Sequence, residues 1–253
     1  MNGMGFKRAL LIAGKGGTGK TTLAISLAVH WVKKGLRVGI LDANLSSPDV
    51  PVLLGLASQG IEGLVEGIEP SSPVEGLKVV SMGLFLHRPS TPVSWRGPVR
   101  HGVLKQFVEK THWGDLELLV VDLPPGIGEE LLTLMHLLRD KGRALLVATG
   151  SRLSLLEAER LRGLFQQGKI PVLGWVKNMP QGEGKIDLPL LGTLPFDRRV
   201  QEGAQRGEAL LWHHPGSPYA HALEEIAKRC LEALRQPSPS PITVTARLVW
   251  RGG

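Results

Sequence analysis

A glycine-rich segment near the N-terminus combines the residue types and the spacing that bind phosphate. Its nine residues are Gly14, Lys15, Gly16, Gly17, Thr18, Gly19, Lys20, Thr21 and Thr22. They match the pattern G-x4-G-K-[ST] directly after an apolar run, which is typical of a phosphate-binding turn between a strand and a helix. The backbone N–H groups of such a turn and the N-terminal end of the helix bind phosphate oxygens. The pattern places Lys20 on the β- and γ-phosphates and Thr21 on a magnesium ion, so it predicts a nucleotide site.

An aspartate at the end of a later apolar run supplies a second group for this chemistry. Asp122 follows the largely apolar segment 116–121 and precedes Leu-Pro-Pro-Gly. Ligands of open parallel sheets gather at the carboxyl ends of the strands. We therefore predict that Asp122 binds a magnesium-coordinated water, rather than only forming a turn. Gly126 and Gly128 flank that turn, which predicts that it moves when the γ-phosphate is lost.

The nonapeptide as a whole, with an additional lysine after its first glycine, resembles the deviant Walker A motif of the MinD/ParA/Mrp group of ATPases. This resemblance implies that Lys15 reaches the nucleotide of a partner subunit, so that a homodimer encloses two ATP molecules. Further segments between about residues 8 and 211 resemble the Mrp/ApbC family within this group. They include 41–44, 53–56, 95–98, 113–114, 121–126, 177–179, 191–197 and 206–208. The resemblance implies ATP binding, dimerisation and the handling of iron–sulfur clusters.

The same resemblance implies where the base of the nucleotide binds. Asn178 stands where the family has an asparagine that contacts the adenine edge, a role that suits the two-way hydrogen bonding of an amide. The segment with Pro195 and Asp197 corresponds to the other wall of the base pocket. These three residues are therefore predicted to bind the nucleotide together with the nonapeptide.

A departure from the family concerns the residue that positions the attacking water. The family has Asp-x-Asp in its switch segment, the loop that responds to the γ-phosphate, and Asn44 replaces the second aspartate here. Because an amide also accepts a hydrogen bond from water, we expect slow ATP hydrolysis rather than none, with Lys15, Lys20 and Asn44 as catalytic residues. Asp49 is an alternative water-positioning residue, although a turn or helix-starting role is the more ordinary one.

A second departure concerns the cluster-binding Cys-x-x-Cys of the family, which would fall between Met179 and Leu190. No cysteine is present there, and Cys230 is the 1 cysteine of the chain. A four-iron cluster usually needs four cysteines, whereas two copies of Cys230 in a dimer supply two thiolates. Cys230 lies in a predicted helix beside Ile226 and Leu234, which favours a buried structural thiol.

Composition excludes several classes of protein. The 253 residues are 42% hydrophobic and 21% charged, as in ordinary globular domains, so disorder is not expected. The net charge of +7 suits an acidic partner such as a nucleotide, a nucleic acid or an anionic lipid. Basic residues are not clustered with aromatic ones, which disfavours nucleic acid. With a single cysteine and no apolar run long enough for a signal or a membrane span, we expect a soluble, cytoplasmic protein without a membrane partner.

The elements that must position these residues alternate along the chain. Strand-like segments are 9–13, 36–41, 77–82, 116–121, 144–148, 172–176 and 190–194, and helical ones are 20–34, 97–110, 129–138, 153–167 and 219–235. This alternation predicts an α/β fold, a doubly wound and mostly parallel sheet of about seven or eight strands with helices on both faces, of the P-loop NTPase type. We expect one ATPase domain over residues 1–235 and a Pro/Ser-rich C-terminal tail over 236–253, as an edge strand or a mobile tail.

These observations predict an ATP hydrolase that uses ATP and Mg²⁺. The resemblance implies in addition that it forms a nucleotide-dependent homodimer and serves an iron–sulfur or apo-protein client. Two alternatives stay open: a ParA/MinD-type positioning or partitioning ATPase, and a nucleotide-gated binding module with little hydrolysis. The element Trp95-Arg96-Gly97-Pro98 favours the first function, and the missing cysteines favour the alternatives.

Overall fold

A computed structural model describes residues 4–56, 67–86, 88, 95–208, 214 and 216–236 of the chain. Almost all of the predicted tail lies outside these residues, so the division into a domain and a tail stays a prediction. None of the helices in the described ranges combines the length and the apolar character that crossing a membrane requires.

The described chain is built around one sheet of eight strands. These are β1 (Phe6–Gly14), β2 (Val38–Asp42), β3 (Ser71–Val74), β4 (Leu77–Ser81), β5 (Leu116–Asp122), β6 (Gly142–Ala148), β7 (Val172–Asn178) and β8 (Leu190–Leu194). Their order across the sheet is β3-β4-β2-β5-β1-β6-β7-β8, and only the β3–β4 pair is antiparallel. The predicted, mostly parallel α/β fold is therefore confirmed.

Helices cover both faces of the sheet, as the fold class requires. They are α1 (Lys20–Lys33), α2 (Val50–Leu53), α3 (Gly97–Glu109), α4 (Glu129–Leu137), α5 (Arg152–Gln167), α6 (Arg198–Arg206) and α7 (Pro218–Arg235). In β1 the side chains alternate between two apolar cores: Leu10 packs with α1 and α7, and Leu11 packs with α3, α4 and α5. A central parallel strand is apolar on both sides for this reason.

Three short elements were not predicted from the sequence. Strand β3 is an edge strand of four residues with a proline, a composition that carries little strand propensity. Helix α2 has four residues, one of them proline. Helix α6 is strongly polar, with Val200, Gly203 and Ala204 as its apolar residues, and its beginning is stabilised by Asp197, whose side chain accepts a hydrogen bond from the Arg199 N–H.

The strand ends assemble the polar residues at one edge of the sheet. Strands β1, β2, β5 and β7 end at Gly14, Asp42, Asp122 and Asn178, respectively. Because neighbouring parallel strands have their carboxyl ends at the same edge, these residues come together although they are far apart in sequence. Asp42 and Asp122 are direct register partners across β2 and β5.

Candidate functional site

The turn between β1 and α1 needs glycine at its two ends. A side chain on Gly14 would collide with the carbonyl oxygen of Val147 in β6. Gly19 has φ 82°, in the left-handed region, and a side chain there would collide with the amide nitrogen of Asn178. The glycines at the first and last turn positions are therefore explained by close packing of backbone against neighbouring strands.

The two lysines of the turn have opposite environments. Lys20 is buried, and its Nζ donates to the Lys15 carbonyl oxygen over 3.2 Å. Burial lowers the pKa of Lys20, and the negative charge of Asp122 opposes that shift. The Lys15 side chain is exposed, while its carbonyl oxygen also accepts from the Thr18 hydroxyl at 2.8 Å. One ammonium thus lies inside the turn and the other faces solvent.

Thr21 and Asp122, the two predicted magnesium residues, lie in direct contact beneath the turn. The Thr21 hydroxyl donates to Asp122 Oδ2 over 2.6 Å. Asp122 Oδ1 is buried and accepts no hydrogen bond from the residues that the structure describes. A buried acceptor without a donor is costly, and carboxylate and hydroxyl oxygens are ligands that Mg²⁺ and its bound waters accept. The residues present therefore fit a magnesium ion.

The charge state of Asp122 is set by its surroundings. Burial raises the pKa of Asp122 to about 6; the hydrogen bond from Thr21 and the charge of Lys20 act in the opposite direction, and the charge of Asp49 raises it further. A cation beside Asp122 would favour the ionised carboxylate, so occupancy of the site and ionisation of this group are linked.

A second buried carboxylate, Asp42, was not among the predicted site residues. It is fully buried beside Asp122 and accepts hydrogen bonds from the Ser81 hydroxyl at 2.8 Å, the Asn44 N–H at 3.1 Å and the Val50 N–H at 3.3 Å. Burial, and next the negative charge of Asp122, raise its pKa well above the ordinary value. The sequence did contain a pointer to it, because Asp42 also follows an apolar strand segment.

Residues 43–49 form the loop that leaves β2 beside this carboxylate pair. The partly buried Asn44 is tied to Asp42 through its backbone N–H, which donates over 3.1 Å. Asp49 occupies the N-cap position of α2, but its side chain makes no capping hydrogen bond. The structure thus brings the predicted water-positioning residue Asn44 to the edge that holds Asp122, and it brings Asp49 within electrostatic range of Asp122.

The predicted base pocket lies at the ends of β7 and β8. Asn178 is buried and its Nδ2 donates to the Thr18 carbonyl oxygen over 2.8 Å, so it contacts the phosphate-binding turn directly. Asp197 accepts from the Arg199 backbone N–H at 3.0 Å and from its guanidinium, and this contact lowers the pKa of Asp197. Pro195 directly follows β8 and is partly buried. Contacts of the three residues with a base stay a prediction.

The segment that stands in place of the family's Cys-x-x-Cys packs against the end of β6. The Gln181 N–H donates to the Thr149 carbonyl oxygen over 2.6 Å, and Ile186 is buried in the core. Cys230 is buried as predicted, and burial raises its pKa to about 12. The described ranges contain no group of three or more His, Cys, Asp or Glu side chains placed to hold a metal ion.

The Trp95–Pro98 element is joined to the helix that follows the Asp122 turn. Arg100 in α3 donates from Nη1 to Glu130 Oε1 in α4 over 2.7 Å, and from Nε to the Trp95 carbonyl oxygen over 2.9 Å. Glu130 lies in the first turn of α4, where a negative charge stabilises the start of a helix. The structure shows that it also forms an ion pair in which the Glu130 side chain is 9% exposed.

Comparison with known proteins identifies relatives of the whole arrangement. A family model described as the NUBPL iron-transfer P-loop NTPase matches residues 6–185. The iron–sulfur cluster carrier protein of Synechocystis sp. is 38% identical over 242 residues, which cover 86% of this chain and 68% of that protein. The carrier protein of Saccharolobus solfataricus is 32% identical over 242 residues, covering 88% and 82%. The cytosolic Fe-S cluster assembly factor Nubp2 homolog of Anopheles gambiae is 34% identical over 244 residues, covering 87% and 94%.

Solved structures share the fold. The nucleotide-binding protein of Archaeoglobus fulgidus, in complex with ADP, superposes with a TM-score of 0.70 at 29% identity, covering 85% of this chain and 91% of that one. The septum site-determining protein MinD of Pyrococcus horikoshii, complexed with Mg-ADP, gives 0.68 at 20% identity, covering 88% and 95%. The second likeness concerns the fold alone.

Proposed function

This chain belongs to the NUBPL iron-transfer P-loop NTPase family, and from that premise we propose that it binds and slowly hydrolyses ATP as a homodimer in iron–sulfur cluster assembly or carriage. The observation that carries the nucleotide part is the buried Asp122 Oδ1, which has no hydrogen-bond partner among the described residues and lies next to the Thr21 hydroxyl at the base of the glycine turn. Magnesium would be held there by Thr21 and, through water, by Asp122, and it would neutralise charge on the phosphates.

Each polar residue around the turn has a role in this proposal. The turn's backbone N–H groups and the N-terminus of α1 bind phosphate oxygens, and Lys20 adds a charge inside the turn. Asn178 supports the turn through the Thr18 carbonyl oxygen and lines the adenine site with Pro195 and Asp197. Asn44 accepts a hydrogen bond from the attacking water. Its neutral amide is the reason for the slow turnover that we propose.

The exposed Lys15 supports the dimer. Its side chain makes no hydrogen bond or ion pair with any residue that the structure describes, while its backbone carbonyl is held by Thr18 and Lys20. A cation held at a defined position on the rim of a nucleotide site is suited to contact the phosphates of a second subunit. We therefore propose that Lys15 completes the site of the partner subunit.

The iron–sulfur part rests on the relatives, which are named as cluster carriers or assembly factors. The chain's own thiol does not fit as a cluster ligand, because Cys230 is buried and its pKa is about 12, whereas iron binds thiolates. We propose that the cluster is ligated by cysteines of a client or apo-protein, and that ATP binding by this chain controls the encounter.

Nucleotide binding is tested by isothermal titration of the purified protein with ATP, GTP and Mg²⁺. We expect tighter binding of ATP than of GTP, and Lys20→Ala should weaken ATP binding by about 1.5–3 kcal/mol because one charge-assisted contact is lost. Equal affinity for GTP and ATP would contradict the role given to Asn178. Binding that Lys20→Ala leaves unchanged would place the nucleotide elsewhere.

The cluster proposal is tested by anaerobic purification followed by iron and sulfide analysis, with Cys230→Ser as the matched control. The wild type and the variant should contain the same low iron content after reconstitution. Stoichiometric iron and sulfide in the wild type that disappear in Cys230→Ser would show that this thiol is a ligand after all.

The alternative of a nucleotide-gated binding module predicts a different result. It would be favoured by ATP-dependent dimerisation without any ATP hydrolysis above that of Lys20→Ala.

A further inference from the structure

Backbone hydrogen bonds hold Asp49 close to the residues that are proposed to bind magnesium. The next residue, Val50, donates its N–H to Asp42 Oδ2 over 3.3 Å, and the Asp49 carbonyl oxygen accepts the Leu53 N–H over 3.0 Å. The position of Asp49 therefore follows from the buried carboxylate Asp42 on one side and from the single turn of α2 on the other.

In the described part of the chain, the Asp49 side chain does not cap the helix that it precedes. A carboxylate at an N-cap normally accepts the N–H of the second or third helical residue. In α2 the second residue is Pro51, which has no N–H, and Asp49 makes no capping bond to any other. It forms no hydrogen bond or ion pair with the residues that the structure describes, and it reaches solvent.

The charge of Asp49 acts at the site where hydrolysis would occur. It is close enough to Asp122 for its negative charge to raise the pKa of that carboxyl group. Asp42 is nearer to the sheet, but its oxygens already accept three hydrogen bonds and it is 0% exposed. Asn44, the residue proposed to accept a hydrogen bond from the attacking water, is uncharged. Asp49 is thus a carboxylate within electrostatic range of Asp122 that reaches solvent and whose oxygens accept no hydrogen bond from the residues that the structure describes.

We propose that Asp49 orients the attacking water in ATP hydrolysis together with Asn44, because its carboxylate supplies the charged acceptor that the neutral amide lacks. The inference rests on the proposed ATP hydrolysis. The water donates one hydrogen bond to Asp49, and its oxygen forms the new bond to the γ-phosphorus as the bond to the β-bridging oxygen breaks. The electron pair leaves with ADP, and the water proton passes by way of Asp49 to the inorganic phosphate.

Single-turnover hydrolysis of labelled ATP by the full chain with Mg²⁺ tests this proposal in four variants. These are Asp49→Asn, Asn44→Asp, the double variant Asn44→Asp/Asp49→Asn, and Lys20→Ala as the background. Asparagine caps a helix about as well as aspartate, so Asp49→Asn removes the charge and keeps the helix start. We expect it to lower turnover about tenfold, or about 1.4 kcal/mol at the transition state, with ATP affinity within about twofold of wild type.

The double variant separates water positioning from a structural role. If a carboxylate is what hydrolysis needs, Asn44→Asp should restore turnover in the Asp49→Asn background. Wild-type turnover in Asp49→Asn would overturn the proposal, and so would a loss that comes with weaker ATP binding and is not restored. Should Asp49→Asn fail to fold, Asp49→Ser, which also caps, takes its place. A wild type no faster than Lys20→Ala would instead defeat ATP hydrolysis itself, and the inference with it.

Discussion

At the scale of single residues, the site is organised by two carboxylates at the ends of neighbouring strands. Asp42 and Asp122 are register partners, both are buried, and burial raises the pKa of each. Their hydrogen bonding differs: Asp42 is satisfied by donors from Ser81, Asn44 and Val50, whereas Asp122 Oδ1 has none in the described part of the chain. Two adjacent buried carboxylates repel each other, so a divalent cation at Asp122 is expected to be the group that resolves the repulsion.

The replacement Asn44→Asp should raise ATP turnover of the otherwise unchanged protein about tenfold, which corresponds to about 1.4 kcal/mol. The physical reason is that a carboxylate accepts a stronger, charge-assisted hydrogen bond from the attacking water than an amide does. ATP affinity should stay nearly the same, because the effect concerns the reacting water. Steady-state kinetics with Asn44→Ala as the matched control measures this, and an unchanged rate in both variants would remove Asn44 from the catalytic residues.

At the scale of elements, the α3–α4 pair links the Trp95–Pro98 segment to the turn after β5. Arg100 and Glu130 form its central contact, with Nη1 and Oε1 2.7 Å apart and side chains 30% and 9% exposed. His101 and Thr133 add a second polar contact one turn along, at 3.1 Å between Nδ1 and Oγ1. Because α4 begins directly after the Asp122 turn, a movement of that turn would be carried to α3 through this pair.

Removing the charge of Glu130 should destabilise the fold, because Arg100 would then keep a partly buried charge without its partner. We expect Glu130→Gln to lower the free energy of unfolding by about 1–3 kcal/mol. Urea unfolding measures the change. Asp115→Asn is the control, since it breaks the Arg37–Asp115 pair, whose side chains are 51% and 77% exposed, and it should have almost no effect. Equal losses in the two variants would argue against a special role for the α3–α4 pair.

At the scale of the whole molecule, the proposed nucleotide site lies at the edge of the sheet where the parallel strands have their carboxyl ends. Lys20 is enclosed in its own subunit, and Lys15 extends to solvent from the same turn. If Lys15 contacts the nucleotide of the partner subunit, the site of a single chain lacks one cation. Dimerisation and nucleotide binding would then be coupled, because each stabilises the other.

The coupling predicts that the protein sediments as a dimer with ATP and Mg²⁺ and that Lys15→Ala weakens this dimer. Each subunit would lose one charge-assisted contact to its partner's phosphates, so a dissociation constant higher by about tenfold or more is expected. Lys34→Ala is the control, because it also removes one positive charge but lies at the far end of α1, roughly 20 Å away. A monomer under every nucleotide condition, or equal effects of the two variants, would contradict the role of Lys15.

Some properties of this chain follow from the sequence because they depend on neighbouring residues. The glycine turn, the apolar strands, the doubly wound fold and the aspartate at the end of β5 were all predicted, and so was the burial of Cys230. Local spacing and apolar periodicity are sufficient for such predictions. Short or polar elements such as β3, α2 and α6 were missed, because four residues, or nine with few apolar side chains, carry too little pattern.

The tertiary structure decided which distant residues of the predicted site contact each other directly. The Thr21–Asp122 contact joins residues 101 positions apart, and the Asn178–Thr18 contact joins residues 160 positions apart. These pairings depend on the strand order and on the register of parallel strands, which no local pattern encodes. Among the residues that the structure describes, Asp122 Oδ1 accepts no hydrogen bond and the Asp49 carboxylate caps no helix. Both features became visible only when every nearby donor had a position, because an unsatisfied group is defined by what surrounds it.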